Sequence, residues 1–207
     1  MFDDEYHVVS KYKIPVEDAK DWCIGIDYGT GNATVFLLMM KTYNDRIYAV
    51  KEYYYAGRKE AQENDDYSLQ KTDREFAEDL KSFIIDNYNL TGKGYRNDIE
   101  IFVDPAAASF KVELRKHFRM KVKNADNEVI DGVRKVATRL SLGELFISED
   151  CPNLIREFHN YMWDEKAQMR GEDKVVKRDD HCLDALRYAV VKMEKKKELD
   201  VTRNLGL

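Results

Sequence analysis

A chain of 207 residues with 43% apolar and 35% charged side chains can bury one sizeable core and has the profile of a soluble globular protein. No apolar run approaches the roughly 18 residues of a membrane span, and "MFDDEYHVVSKYK" is acidic and polar where a signal peptide would be apolar. The net charge of −5 argues against a generally basic nucleic-acid coat protein, but not against an enzyme with a local basic track beside an acidic metal site. Cys23, Cys151 and Cys182 form no CxxC pair, which argues against a zinc site or disulfide framework and fits a reducing cytoplasm. Cys23 and Cys182 sit in apolar patterns and read as small buried hydrophobes.

Residues 1–21 read as an N-terminal linker or extension. Three strands follow, near 22–27, 34–42 and 47–55, rich in β-branched and aromatic residues and joined by the short turns "GTGN" and "YND", so they form an antiparallel meander. Residues 57–71 are polar and read as a loop. A helix starts near Thr72 or Asp73, with Phe76, Leu80, Phe83 and Ile84 as its apolar stripe. "LTGKGYRND" is a loop, and "IEIFVD" is a buried strand ending at Asp104. Pro105 suits the first turn of a helix through "AAASFKVELRKHF". "MKVKNA" is a short strand, and "NEVIDGVRKVATRLSLG" a helix stopping at Gly143. "ELFIS" is extended, "NLIREFHNYMW" helical, and 164–178 a charged hairpin or loop. A last helix from Asp179 or Asp180 runs through "HCLDALRYAVVKMEKKK", with a fraying end and a tail at 201–207. The order predicts one α/β domain over 22–200. Its mixed central sheet has the first three strands antiparallel and the later ones parallel to the first, flanked by helices.

The chemistry-bearing candidates are carboxylates. Asp27 ends the first strand and Asp104 the fourth. Ends of neighbouring strands lie about 5 Å apart, so the two can converge. On the last helix Asp180, His181 and Asp184 share a face, opposite Leu183, Leu186 and Val190. Taken singly, Asp27 reads as a turn residue, Asp180 as an N-cap and His181 as a half-exposed helix residue. Asp184 lies past the first turn beside apolar residues, where a solvated carboxylate has no structural duty. Several ionised carboxylates at one point cost several kcal/mol without a counter-ion. A pair of hard divalent cations removes that cost and suits phosphodiester hydrolysis.

"GIDYGTGNATVFLL", "IFVDPAAASFKVELRK", "NEVIDGVRKVATRLSLGELFISEDCPNLIREFHNYMW" and above all "DDHCLDALRYA" resemble the nuclease domain of tailed-phage terminase large subunits, over about residues 22–192. The resemblance implies a ribonuclease H-like fold and an endodeoxyribonuclease that cuts concatemeric double-stranded viral DNA during packaging, with two Mg²⁺ or Mn²⁺ ions. By motif, Asp27, Asp104 and Asp184 match the metal ligands, His181 an auxiliary catalytic group, and Asp180 a further acidic position. The family further implies a packaging ATPase in the full-length protein, a portal and a small terminase subunit as partners, and the host cytoplasm as location, with no membrane. No GxxxxGK[ST] loop is present ("LTGKGY" fails the pattern), so the nuclease domain alone is expected here.

Basic residues beside these motifs are expected to hold DNA phosphates without reading bases. They are Lys111, Arg115, Lys116, Arg119, Lys121 and Lys123, then Arg134 with Lys135 and Arg139, then Lys174, Lys177 and Arg178. Each run read alone is equally a solvated face. Three rivals remain at this point, one of them a catalytically dead domain that binds only the portal or another packaging protein, against which the intact carboxylates argue. "GIDYGT" also resembles the phosphate loop of actin-like and sugar-kinase ATPases, though no second glycine-rich loop follows. Junction resolvases and transposase cores share the ribonuclease H-like fold.

Overall fold

The computed structural model describes residues 2–29, 32–57, 70–160 and 180–205, with side chains through 194. A two-layered core is built on one sheet. β2 (Ala19–Tyr28), β3 (Thr34–Thr42) and β4 (Ile47–Tyr55) form the antiparallel meander. All nine residues of β3 are buried, as a central strand covered on both faces requires. β5 (Glu100–Val103) pairs parallel with β2, β6 (Lys121–Asn124) parallel with β5, and β7 (Leu145–Ser148) parallel with β4. With β1 (Val8–Val9) beside β7, the strand order is β1-β7-β4-β3-β2-β5-β6. This is the predicted mixed sheet.

Strand alternation sends Ile24 and Ile26 to one face and Cys23 to the other. The first face is covered by α2 (Asp73–Asp86) and α4 (Ala108–Lys116), through Phe76, Leu80, Phe110 and Leu114. The second is covered by α5 (Val129–Ser141), α6 (Pro152–Asn160) and α7 (His181–Leu205), through Val136, Leu140, Leu154, Leu186 and Val190. α2 starts on the expected residue. The Thr72 hydroxyl accepts from the Glu75 amide at 3.3 Å and the Glu75 carboxylate from the Thr72 amide at 2.8 Å, a reciprocal capping box. α5 ends where Gly143 takes φ of 63°.

Three local readings need amendment. The loop after α2 contains a one-turn helix, α3 (Tyr88–Thr91), stopped by left-handed Gly92. Pro105 precedes α4 and is not in its first turn. The Asp104 carboxylate accepts from the Ala106 amide at 2.6 Å, and this side-chain turn delays the helix to Ala108. Arg139, read as part of a basic surface run, is 4% exposed. It binds Asp45 at 3.0 Å, Glu144 at 2.7 Å and also Glu194, tying α5 to the β3–β4 turn and to α7.

The segment read as an N-terminal linker packs onto the same sheet. After α1 (Asp4–His7), Val8–Val9 extend its edge. The Phe2 ring stacks on Phe158 with centroids 4.4 Å apart, and His7 Nε2 donates to the Leu140 carbonyl at 3.0 Å. A two-residue strand is too short to show a period. Among the described residues, the cysteines are buried and free, and no helix is long and apolar enough to cross a membrane. The predicted loops at 57–71 and 164–178 fall almost wholly outside the described residues, as does the tail's end.

Candidate active site

β2 and β5 are parallel neighbours, with Ile26 in register with Val103. The next residue on each is an aspartate, so Asp27 and Asp104 stand side by side at the C-terminal edge of the sheet. α7 crosses that edge and adds His181 and Asp184 one turn apart. Close approach is possible because Gly25 of β2 lies under the Ala185 carbonyl, where any Cβ would collide with the helix backbone. A residue with no side chain, two positions from one aspartate, thus seats the helix carrying another.

The His181 Nδ1–H donates to Asp27 Oδ2 at 2.8 Å. A carboxylate can only accept, so the tautomer is set by this bond. The Asp104 Oδ2 accepts from the Tyr188 hydroxyl at 2.9 Å. The Asp184 Oδ1 accepts from Arg187 Nη2 at 2.9 Å and Nε at 3.1 Å. Arg187 reaches this position past Gly132 of α5, where a Cβ would strike its Cγ and Cδ. Asp184 therefore does have a structural partner.

The electrostatics tie these groups into one site. Burial raises the Asp27 carboxyl above its ordinary range. The His181 hydrogen bond and charge oppose that rise, while the Asp184 and Asp104 carboxylates add to it. For His181 burial pulls downward, but the hydrogen bond and charge of Asp27, with Glu157 and Asp180, hold the imidazole above its ordinary value. Burial raises the Tyr188 hydroxyl well out of the physiological range, aided by Asp184, Asp27 and Asp104. It remains a hydrogen-bond donor to Asp104.

The donor chemistry fits hard divalent cations. It is all carboxylate oxygen and imidazole, and the two neighbouring carboxylates make ionised Asp27 costly in a way that a cation relieves. Among the described residues, no group of three or more His, Cys, Asp or Glu side chains is arranged so that it could hold a metal ion. Asp104 and Asp184 are instead held by Tyr188 and Arg187. Asp180 is buried immediately before α7.

Sequence reading missed three supporting groups. Arg187 and Tyr188 lie three and four residues after Asp184, a helical spacing that marks them as neighbours once the helix is assigned. Glu157 of α6 had no local signal. It is 2% exposed, and its Oε2 accepts from the Cys182 and Leu183 amides at 2.7 and 3.1 Å. Burial raises it to about 7, against those two amide bonds, a hydrogen bond from the Cys182 side chain and the His181 charge. A carboxyl whose folded value lies above its unfolded one stabilises the fold below the unfolded value, about 4.5. That share is lost as pH rises through about 7. Glu157→Gln has nothing to titrate. Its denaturant stability relative to the parent should therefore gain about 2–3 kcal/mol between pH 5 and pH 8. A constant difference across that range would contradict the assignment.

The basic residues do not form a single track. Lys111 is 6% exposed, and its ammonium donates to the Pro105 carbonyl at 2.7 Å and Asn124 Oδ1 at 2.8 Å. Burial, then the Arg115 charge, lowers its pKa. It braces the turn after Asp104 and is not a surface phosphate contact. Arg115, Lys116 and Arg119 are exposed but lie on or just after α4, in the layer opposite α7. Arg115 donates to the Val122 carbonyl at 2.9 Å. Val122 faces the α4 layer, so alternation puts Lys121 and Lys123 on the α7 side, where both pair with Glu100. Arg134 is exposed on α5. Lys174, Lys177 and Arg178 lie outside the described residues.

Comparison with known proteins follows the fold and site. The profile of the family described as "Terminase RNaseH-like domain" matches residues 24–193. The "Terminase, large subunit" of Escherichia phage T5 is 26% identical over 187 residues, which are 87% of this chain and 37% of that protein. A large terminase from a thermophilic bacteriophage, solved in complex with ADP, is 43% identical with a TM-score of 0.75. That match covers 92% of this chain and 43% of the other. The large terminase (g2p) nuclease domain of bacteriophage SPP1, solved with bound Mn, is 17% identical with a TM-score of 0.60, over 89% of this chain and 94% of that one. The chain thus spans about two-fifths of the T5 protein and of the ADP-bound terminase.

Proposed function

The chain belongs to the terminase RNaseH-like domain family, and from that membership we propose that it is the metal-dependent endonuclease of a phage large terminase, cutting concatemeric double-stranded DNA during genome packaging with little sequence preference. The observation that carries the reading is the meeting of Asp104 and Asp184 with buried Asp27, whose charged form both of them disfavour. The nuclease name and bound Mn of the SPP1 domain support extending it to metal-dependent cleavage.

Asp27, Asp104 and Asp184 would hold two divalent cations, Mg²⁺ or Mn²⁺, with Asp180 as a further acidic ligand. Bound there, the cations would supply charge neutralisation, activation of water and stabilisation of the departing 3′-oxygen. The chain's own residues prepare that chemistry. His181 orients the Asp27 carboxylate through its Nδ1–H and, as an imidazole, can pass a proton as Asp27 changes partner. Tyr188 and Arg187 fix the rotamers of Asp104 and Asp184. Lys121, Lys123 and Arg134 would meet phosphates on the α7 side. Arg115, Lys116 and Arg119 could meet them only by a path around the sheet edge, and Lys174, Lys177 and Arg178 adjoin α7 in sequence. The longer relatives support a full-length protein with a packaging ATPase domain. It would work with a portal and a small terminase subunit in the host cytoplasm.

Plasmid digestion tests the proposal. The folded parent should cut with Mn²⁺ or Mg²⁺ and stop with chelator, and Asp104→Ala and Asp184→Ala should be inactive. Cutting in chelator, or by either variant, would overturn it. DNA affinity should fall roughly a hundredfold between 50 and 200 mM salt if about four phosphates are contacted. A salt-independent constant would remove the phosphate-contact assignment.

A further inference from the structure

α7 brings both His181 and Asp184 to the site from its first turn, the part of a helix that frays most readily. Its N2 and N3 amides, Cys182 and Leu183, have no partner within the helix. Both donate to Glu157 Oε2 at 2.7 and 3.1 Å. The same arrangement recurs at α6. The N2 and N3 amides of α6, Asn153 and Leu154, donate to the two carboxylate oxygens of Glu52 on β4, at 2.8 and 3.0 Å. The Asn153 side-chain amide adds a third bond to Glu52 at 2.7 Å. The residue ahead of α6 is Cys151, a poor local cap whose Sγ turns to the Ala49 carbonyl at 3.8 Å. A carboxylate from elsewhere in the fold therefore clamps each helix start.

We infer that Glu52 and Glu157 form a two-step chain of helix caps running from the sheet through α6 to α7, and that Glu157 is the positioning residue that holds His181 and Asp184 in register with Asp27 and Asp104. Negative ends at helix N-termini are favourable in themselves. Glu157 is nevertheless an expensive cap, because a carboxylate only 2% exposed is costly to hold charged. Asp180 already places a short polar residue at the start of α7. A long side chain from α6 does something that such a cap cannot. It fixes the start of α7 to the body of the domain, independently of residues 161–179 between the two helices. Unwinding the first turn would carry His181 away from Asp27 and turn Asp184 off the shared face, so metal affinity should follow the cap.

The effect on cleavage rests on the nuclease reading above, while the caps themselves do not. Hydrogen exchange by NMR reads the cap directly. In Glu157→Ala the Cys182 and Leu183 amides should exchange at least tenfold faster than in the parent. In Glu157→Gln, which keeps an acceptor oxygen, they should stay within about threefold. Mn²⁺ binding followed by electron paramagnetic resonance should weaken roughly tenfold in Glu157→Ala and recover in Glu157→Gln, in the range typical for residues that orient ligands. The Mn²⁺ concentration for half-maximal cleavage should shift in parallel. Glu52→Ala should release Asn153 and Leu154 and give a smaller shift of the same sign. If Glu157→Ala does not fold, Glu157→Met fills the space without an acceptor and takes its place. Unchanged exchange at Cys182 and Leu183 would overturn the inference, as would faster exchange with parental Mn²⁺ binding. A parent that binds Mn²⁺ but does not cut DNA would remove the nuclease reading and leave the exchange and Mn²⁺ results to judge the caps.

Discussion

Asp27→Asn should lose plasmid cleavage by roughly a thousandfold while melting at or above the parent's temperature at pH 8. The first half follows from its place at the centre of the site. An uncharged amide is a poor ligand for hard cations, and several kcal/mol of transition-state charge stabilisation, at 1.36 kcal/mol per tenfold, gives about that factor. The second half follows from burial. The folded-state pKa of Asp27 is raised by desolvation and by Asp184 and Asp104 despite His181. Its stabilising share therefore exists below the unfolded value and is lost as pH rises through the folded one, so the ionised carboxylate at pH 8 is a net cost to the fold. Asparagine removes the charge and keeps an oxygen for the His181 Nδ1–H.

The pH dependence of that gain separates the two partners. His181 is held above its ordinary value mainly by Asp27, against burial. Its contribution is present below about 6.5 and is lost as pH rises through the folded value. Asp27→Asn withdraws that support, so the stability gain should be smaller at pH 6 than at pH 8. Thermal melts at the two pH values check this. A variant that is less stable than the parent at pH 8 would mean that Asp27 is held by interactions strong enough to outweigh its burial, and the electrostatic picture of the site would fall.

The parts of this site that were legible in the sequence share one property: each is fixed by local geometry. Asp27 and Asp104 end apolar runs, and parallel pairing of β2 with β5 brings strand ends together wherever they lie in the chain. His181 and Asp184 follow from helical spacing. What escaped depends on which layer an element joins. The basic residues of 111–123 look continuous in sequence. Yet α4 packs on one face while alternation in β6 turns Lys121 and Lys123 to the other, and Lys111 is drawn inward to the Pro105 carbonyl. Glu157 and Glu52 act across 25 and about 100 residues, and nothing near either in sequence says that it caps a helix. The β1 edge strand went unread because two valines carry no periodicity, only a partner in β7.

Packing between β2 and α7 gives the other large effect: Gly25→Ala should leave a protein less stable by about 1–3 kcal/mol and with cleavage reduced roughly a hundredfold. The added methyl would meet the Ala185 carbonyl oxygen and carbon, and beyond them the Ala189 side chain. The obstacle is helix backbone, so no rotamer change relieves it, and α7 must lift away from β2. Ala185, Leu186 and Ala189 are all fully buried against the sheet, and displacing them costs what overpacked cores usually cost. The displacement reaches the chemistry directly, because Ala185 follows Asp184 and Gly25 lies two residues before Asp27. A shift near 1 Å at a catalytic constellation is enough for a loss of about a hundredfold. The two effects also separate under metal titration. A helix that has merely lifted should recover part of the activity at high Mn²⁺, whereas Asp27→Asn should not. If Gly25→Ala matches the parent in both melting temperature and cleavage, α7 does not approach β2 as closely as the collision requires, and the seating of Asp184 over Asp27 would have to be explained by other contacts.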